Sequence, residues 1–175
     1  MMHEAERDEM SELDTIHRLL IFPFYVTEGI NQPEPMAKRL ACSKRQVEQY
    51  RQALERMGFL VSSPKNSSYE LTELGRLYMT LDTPENSFLI IRRLLAFPVL
   101  NEILIQLMIR PSHSLTTEDV NMLVEEYTRS GHSQSFIERD VKVLHRYLKW
   151  MAMLSVLRID KKGTIGLPAV RELAS

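Results

Sequence analysis

A sixteen-residue stretch, RQVEQYRQALERMGFL at 45–60, returns 94 residues later as RDVKVLHRYLKWMAML at 139–154. Arg45, Val47, Leu54, Met57 and Leu60 fall on Arg139, Val141, Leu148, Met151 and Leu154. Each copy is followed by a strand–turn–strand pattern with lysine at its tip, Lys65 in the first and Lys161 and Lys162 in the second. A chain that repeats an amphipathic helix and a hairpin is built from a module used twice, and this restricts its folds more than any total does. A shorter echo, RLLIFPF at 18–24 and RLLAFPV at 93–99, is offset by 75 residues, so the second copy would carry 19 more residues before its long helix.

Charge is organised on the same plan. The net charge is −1. Residues 1–17 nevertheless sum to −5, 38–65 to +5, 66–128 to −5 and 129–162 to +5. A polyanion meets the local field, so the small total does not exclude nucleic acid. At 175 residues, 44% hydrophobic and 26% charged, the chain suits one ordinary domain or two small ones. No apolar run approaches the ~20 residues of a membrane span. MMHEAERDEM lacks the basic-then-apolar order of a signal peptide. A single cysteine, Cys42, excludes an internal disulfide framework and suits the cytoplasm.

Helical periodicity dominates. Leu13, Ile16, Leu19 and Leu20 predict a helix over 5–22 ending at Pro23. A short helix is expected over 34–41. Ser43 and Gln46 form the ends of a capping box, predicting a helix from 44 to 57 that Gly58 stops. FLVSS and YELTE around PKNSS read as a hairpin, after which Thr72 caps a helix to about 80. Thr83 and Pro84 open another, which runs to the second Phe-Pro and continues or kinks through LNEILIQLMI. TTED begins a helix over 117–129, SFIE at 135–138 caps one reaching about 151, and LSVLRI, DKKG and TIGL make the second hairpin. The expected domains are 1–81 and 82–175.

Each unit thus reads as helix, helix, turn, longer helix, hairpin. That order resembles the winged helix-turn-helix family, best over MAKRLACSKRQVEQYRQALERMGFLVSSPKNSSYELTELG. Tyr69-x-Leu71-Thr72-x-x-Gly75 is frequent where the second strand of a wing enters the next helix, and RQVEQYRQALERMGFL is similar to modules beside type II restriction endonuclease domains. The resemblance implies a mainly α fold with small β-wings, in two tandem winged-helix units, the second diverged. It also implies a DNA-binding function: a transcriptional regulator, or the recognition component of a restriction–modification, DNA-processing or defence system.

The chemistry of helix 44–57 agrees. Val47, Tyr50, Leu54 and Met57 share the core sector, while Arg45, Gln49, Gln52 and Arg56 share the opposite one, with Lys44 and Glu48 beside it. Arginine forks onto guanine edges, glutamine onto adenine, and lysine holds phosphate, as Lys65 would on the wing. The same residues also make an ordinary solvated helix face. In the second long helix Arg139, Lys142, Arg146 and Lys149 form a basic stripe, joined by Lys161 and Lys162 on the following hairpin. Val143 and Trp150 fall opposite the expected core. Trp150 could stack on an unpaired base, but the favoured reading is an interface with the neighbouring unit, the C-terminal segment or another subunit.

Other chemistry finds little support. His3, His17, His113, His132, His145 and Cys42 show no metal-ligand spacing, and there is no glycine-rich phosphate loop. Glu138 and Asp140 fall at a helix start, where carboxylates do not converge as a nuclease requires. No enzyme activity, cofactor or metal is expected. The expected partner is DNA, duplex in preference to single-stranded, with a homodimer or a partner protein left open and no membrane. The competing reading is a protein–protein adaptor that binds no DNA.

Overall fold

The computed structural model describes residues 4–63, 68–129 and 141–168. It is mainly helical, with two small antiparallel sheets among the described residues. The chain divides into two compact units, 1–90 and 91–175. The division falls inside one helix, where the sequence reading set it at 81/82.

The first unit begins with α1 (Glu4–Thr27). This helix passes through Pro23, where the sequence reading ended it. Proline deletes one helical hydrogen bond and crowds the turn before it. Packing offsets that cost: Leu19, Phe22 and Val26 are buried, and the Tyr78 hydroxyl donates to the Leu20 carbonyl at 2.9 Å. Next come α2 (Pro33–Arg39) and α3 (Lys44–Arg56). The expected capping box at α3 is present: Gln46 N–H donates to Ser43 Oγ at 3.2 Å, and Ser43 N–H to Gln46 Oε1 at 2.9 Å. Strands β1 (Leu60–Ser62) and β2 (Tyr69–Leu71) pair antiparallel with Leu60 opposite Leu71, and α4 (Glu73–Thr80) follows.

The Tyr-x-Leu-Thr-x-x-Gly run has a physical cause at each position. Tyr69 is buried against Phe22, ring centroids 5.6 Å apart, and its N–H donates to the Asn31 carbonyl at 2.8 Å. The Thr72 hydroxyl accepts from Gly75 N–H at 3.0 Å, capping α4, and donates to the Gly58 carbonyl at 2.6 Å. Gly75 sits where a Cβ would lie 2.2 Å from the Phe59 carbonyl oxygen. That oxygen also accepts from Thr72 N–H at 3.1 Å, so it is not free to withdraw. One short run thereby fastens the hairpin to both α1 and α4.

α5 (Glu85–Leu94) is a separate helix from α6 (Pro98–Ile109), which opens the second unit's fold with Pro98 at its start. The two FP words therefore differ in structure, Pro23 lying within a helix and Pro98 beginning one. After α6 come β3 (Ser114–Leu115), α7 (Thr117–Arg129) and α8 (Val141–Met153). The helix expected over 117–129 is present as written. Thr116 and Asp119 cap it reciprocally, at 2.8 Å and 3.1 Å. The SFIE cap expected at 135–138 lies outside the described residues. Strands β4 (Arg158–Ile159) and β5 (Ile165–Gly166) close the unit in a sheet ordered β3–β5–β4.

The longer echo survives folding. Tyr50, Ala53, Leu54 and Met57 are buried in the first unit, as are Leu144, Tyr147, Leu148 and Met151 in the second. Asn31, between α1 and α2, bonds to β2 as β3, between α6 and α7, bonds to β5.

Gly75→Ala should destabilise the protein by about 2–3 kcal/mol, the upper range for forcing an atom into a packed site. Thr72→Val should cost about 1–2 kcal/mol through the lost cap. Urea denaturation measures both, and a Gly75→Ala protein as stable as wild type would contradict the close approach described.

Candidate nucleic-acid interface

α3 carries two polar stripes that behave differently. At ~100° per residue, Arg45, Gln49, Gln52 and Arg56 share a sector of roughly 60°. Glu48, Arg51 and Glu55 form the adjacent stripe. Here Arg51 Nε donates to Glu48 Oε2 at 2.8 Å, its Nη1 donates to Ser62 Oγ on β1 at 2.8 Å, and the guanidinium also binds Glu55. The Arg51 side chain is only 17% exposed. The Arg51 hydrogen bond holds the Glu48 carboxyl below the usual carboxylate range, against a smaller opposing effect of burial. The Arg51 guanidinium is pushed above its ordinary value, chiefly by the bond to Glu48.

This arrangement redistributes the charge that the sequence shows. Both acids of α3 are paired with Arg51, Glu48 remaining partly exposed. Lys44 and Arg45 are exposed at the helix N-terminus, and Gln49, Gln52 and Arg56 are half-buried along the outer sector. Lys44 pairs with Glu34 at 3.3 Å, both side chains well exposed, so the pair is weak and exchangeable. Gln52 Nε2 donates to Glu48 Oε1 at 2.8 Å, which fixes the direction of its amide. The sequence reading omitted Arg51; its signal was the Glu48–Arg51–Glu55 spacing of three and four. Lys65 lies outside the described residues.

The second unit presents another surface. Lys142 and Lys149 are exposed on α8 and Arg146 is half-buried, so this part of the expected stripe is accessible. Arg139 lies outside the described residues. The apolar pair expected on the outer side is split. Val143 is half-buried, whereas Trp150 is 1% exposed and stacks on Tyr147, centroids 5.1 Å apart and planes 19° from parallel. Tyr147 in turn meets Phe97 at 5.7 Å. The reason is the width of the buried arc. Leu144, Tyr147, Leu148, Trp150 and Met151 span roughly 160° at α-helical spacing, wider than the stripe assumed from sequence. A ring buried in this way is not available to stack on a base.

The second hairpin has a well-defined tip. Asp160 accepts from Lys162 N–H at 2.8 Å and Thr164 N–H at 2.9 Å, and Gly163 takes φ +79°. The Thr164 N–H bond leads in lowering the Asp160 pKa. Lys161 and Lys162 are exposed on this tip. Among the described residues no cluster of histidine, cysteine or carboxylates is placed to hold a metal ion. No helix there is long and apolar enough to cross a membrane.

Residues 25–156, about three quarters of the chain, match a family described as a domain of unknown function, DUF7226. The chain belongs to the DUF7226 family. The matched stretch begins in the last turn of α1 and ends just after α8, so the DUF7226 domain takes in both long helices. The Lys161–Lys162 hairpin lies beyond it. No curated protein and no solved structure matches the chain.

Arg51→Met should remove the link between α3 and β1 and cost about 1.5–3 kcal/mol, as expected for hydrogen bonds to charged groups. The pH response has a definite sign. Glu48 is more acidic folded than unfolded, so its contribution is present above the ordinary carboxylate pKa and is lost as pH falls through the folded value. Thermal melts from pH 7 down to pH 3 should therefore fall less steeply in Arg51→Met than in wild type. Parallel curves would show that Arg51 does not set the Glu48 charge.

Proposed function

We propose that the protein binds duplex DNA through the outer sector of α3, as a tandem winged-helix protein. It would act as a transcriptional regulator or as the DNA-recognition component of a DNA-processing or defence system. The observation carrying this reading is the separation of the α3 stripes. Arg51 pairs with Glu48 and Glu55 on one stripe, and Lys44, Arg45, Gln49, Gln52 and Arg56 lie on the next, beside a capped helix N-terminus. Arginine and glutamine supply the paired donors and acceptors that read major-groove base edges, and the N-terminal turn favours phosphate.

The arrangement of elements supports the winged-helix reading. The β3–β5–β4 sheet joins a strand between the first two helices to a terminal hairpin, as a wing requires, and Asn31 makes the corresponding backbone bond in the first unit. In this reading the units divide the work. The first reads bases, while Lys142, Arg146 and Lys149 on α8 and Lys161 and Lys162 on the hairpin hold phosphates without sequence preference.

A second reading, a protein–protein adaptor, is favoured by one observation. Ile105, Met108 and Ile109 leave α6 with an exposed apolar stripe, and Met122 is exposed on α7. Exposed apolar groups of this kind mark surfaces that meet other proteins.

Mobility-shift titrations at two salt concentrations separate the readings. Phosphate-based binding should weaken steeply with salt, and Lys161→Ala with Lys162→Ala should reduce the salt slope by about 2. Arg45→Ala with Gln49→Ala should cut duplex affinity at least ~30-fold, at ~1–3 kcal/mol for each base no longer read, with little change in melting temperature. Unaltered binding in that variant would favour the adaptor.

A further inference from the structure

α6 is apolar nearly all round, and Glu102 is its only charged residue. A helix of that kind is ordinarily enclosed. Its inner face is, with Val99, Leu100, Ile103 and Leu107 buried. The opposite face is not. Ile105 is 41% exposed, Met108 61% and Ile109 66%, at spacings of three and four that make one contiguous ridge. The Arg110 guanidinium donates to Asp119 Oδ1 at 2.9 Å and ties the end of α6 to the first turn of α7. One turn further along α7, Met122 is 56% exposed. Its helical neighbours Glu118, Glu125 and Glu126 are all exposed.

The charge on this face selects its occupant. Residues 98–129 carry five carboxylates against two arginines and no lysine. Both arginines are already paired, Arg110 with Asp119 and Arg129 with Glu125. A two-fold contact sets a surface against itself. A second copy would therefore bring Glu118 and Glu126 toward their own counterparts, and like charges oppose that. DNA and anionic lipid are repelled in the same way. A cationic protein segment is attracted. Apolar anchors three and four residues apart along one helix suit an amphipathic helix laid against them.

We propose that the α6–α7 face binds a cationic amphipathic helix of another protein, its apolar side on Ile105, Met108 and Ile109 and its basic side toward Glu118 and Glu126. The proposal deepens the adaptor reading, on whose exposed stripe it rests, by naming the partner's chemistry. The probe is a labelled synthetic peptide of about 14 residues, four helical turns, with leucine on one face and lysine on the other. Titrated with the full chain and followed by fluorescence anisotropy, it should bind saturably and more weakly as salt rises. A leucine–glutamate helix of the same spacing, and a scrambled leucine–lysine peptide, should each bind at least ~tenfold more weakly. Ile105→Gln with Ile109→Gln should weaken binding about tenfold. Glu118→Gln with Glu126→Gln should weaken it about threefold and flatten the salt dependence. These side chains are exposed, so both variants should keep the wild-type thermal melt. Equal affinity in the folded isoleucine variant, or no preference for lysine over glutamate, would overturn the proposal. So would self-association of the wild-type chain in sedimentation that the isoleucine variant abolishes, since a second copy would then occupy this face. Peptide and DNA are titrated separately: absent peptide binding refutes this proposal, whereas a salt-sensitive mobility shift refutes the adaptor reading.

Discussion

The Arg51 guanidinium decides what α3 shows to the outside. It is bonded to two carboxylates of its own helix and to a hydroxyl of β1, at a position where little water reaches it. With Arg51 engaged there, the helix has an internal ion cluster on one stripe and outward amide and cationic groups on the next. It also ties α3 to the hairpin that follows, so the helix and β1 hold one relative orientation. A partly buried charge is stable only while its partners stay in place, which makes this stripe intolerant of change. The outer sector is more exposed at Lys44 and Arg45, while Gln52 is tied to the cluster through Glu48.

The two long helices bury equivalent positions 94 residues apart and differ on their other faces. In α3 the position of Arg56 lies on the outer sector; its counterpart 94 residues later is Trp150, which is buried and stacked on Tyr147. Widening the buried arc of α8 gives that helix a larger apolar payload and a narrower exposed face. Lys142 and Lys149 are exposed on the face that remains, with Arg146 half-buried between them. The apolar stripe at Ile105, Met108 and Ile109 belongs to the same second unit.

Much of the fold was legible because its signals are local. Ser43 with Gln46, Thr72 with Gly75, and Thr116 with Asp119 each satisfy helix ends using residues three apart, and such pairs can be read from spacing alone. Pro23 misled because a proline's local cost was outweighed by nonlocal burial at Phe22 and Val26 and by a bond from Tyr78, 58 residues away from its acceptor. The Phe-Pro echo misled for a related reason: identical words were placed within one helix and at the start of another. The outer sector of α3 was legible from its angles, whereas Trp150 was not, because the width of a buried arc depends on what packs beside it.

The sequence by itself determined the helical periods, the caps, the repeated helix-and-hairpin words and the side of α3 that carries arginine and glutamine. Those properties depend on spacings of three and four residues along one chain. Tertiary structure alone decided that Arg51 would reach Ser62 on β1 and that Trp150 would turn inward onto Tyr147, which is itself met by Phe97. Each of these rests on groups distant in sequence and on how much water their meeting excludes, and water exclusion is a property of the packed volume, not of the order of residues.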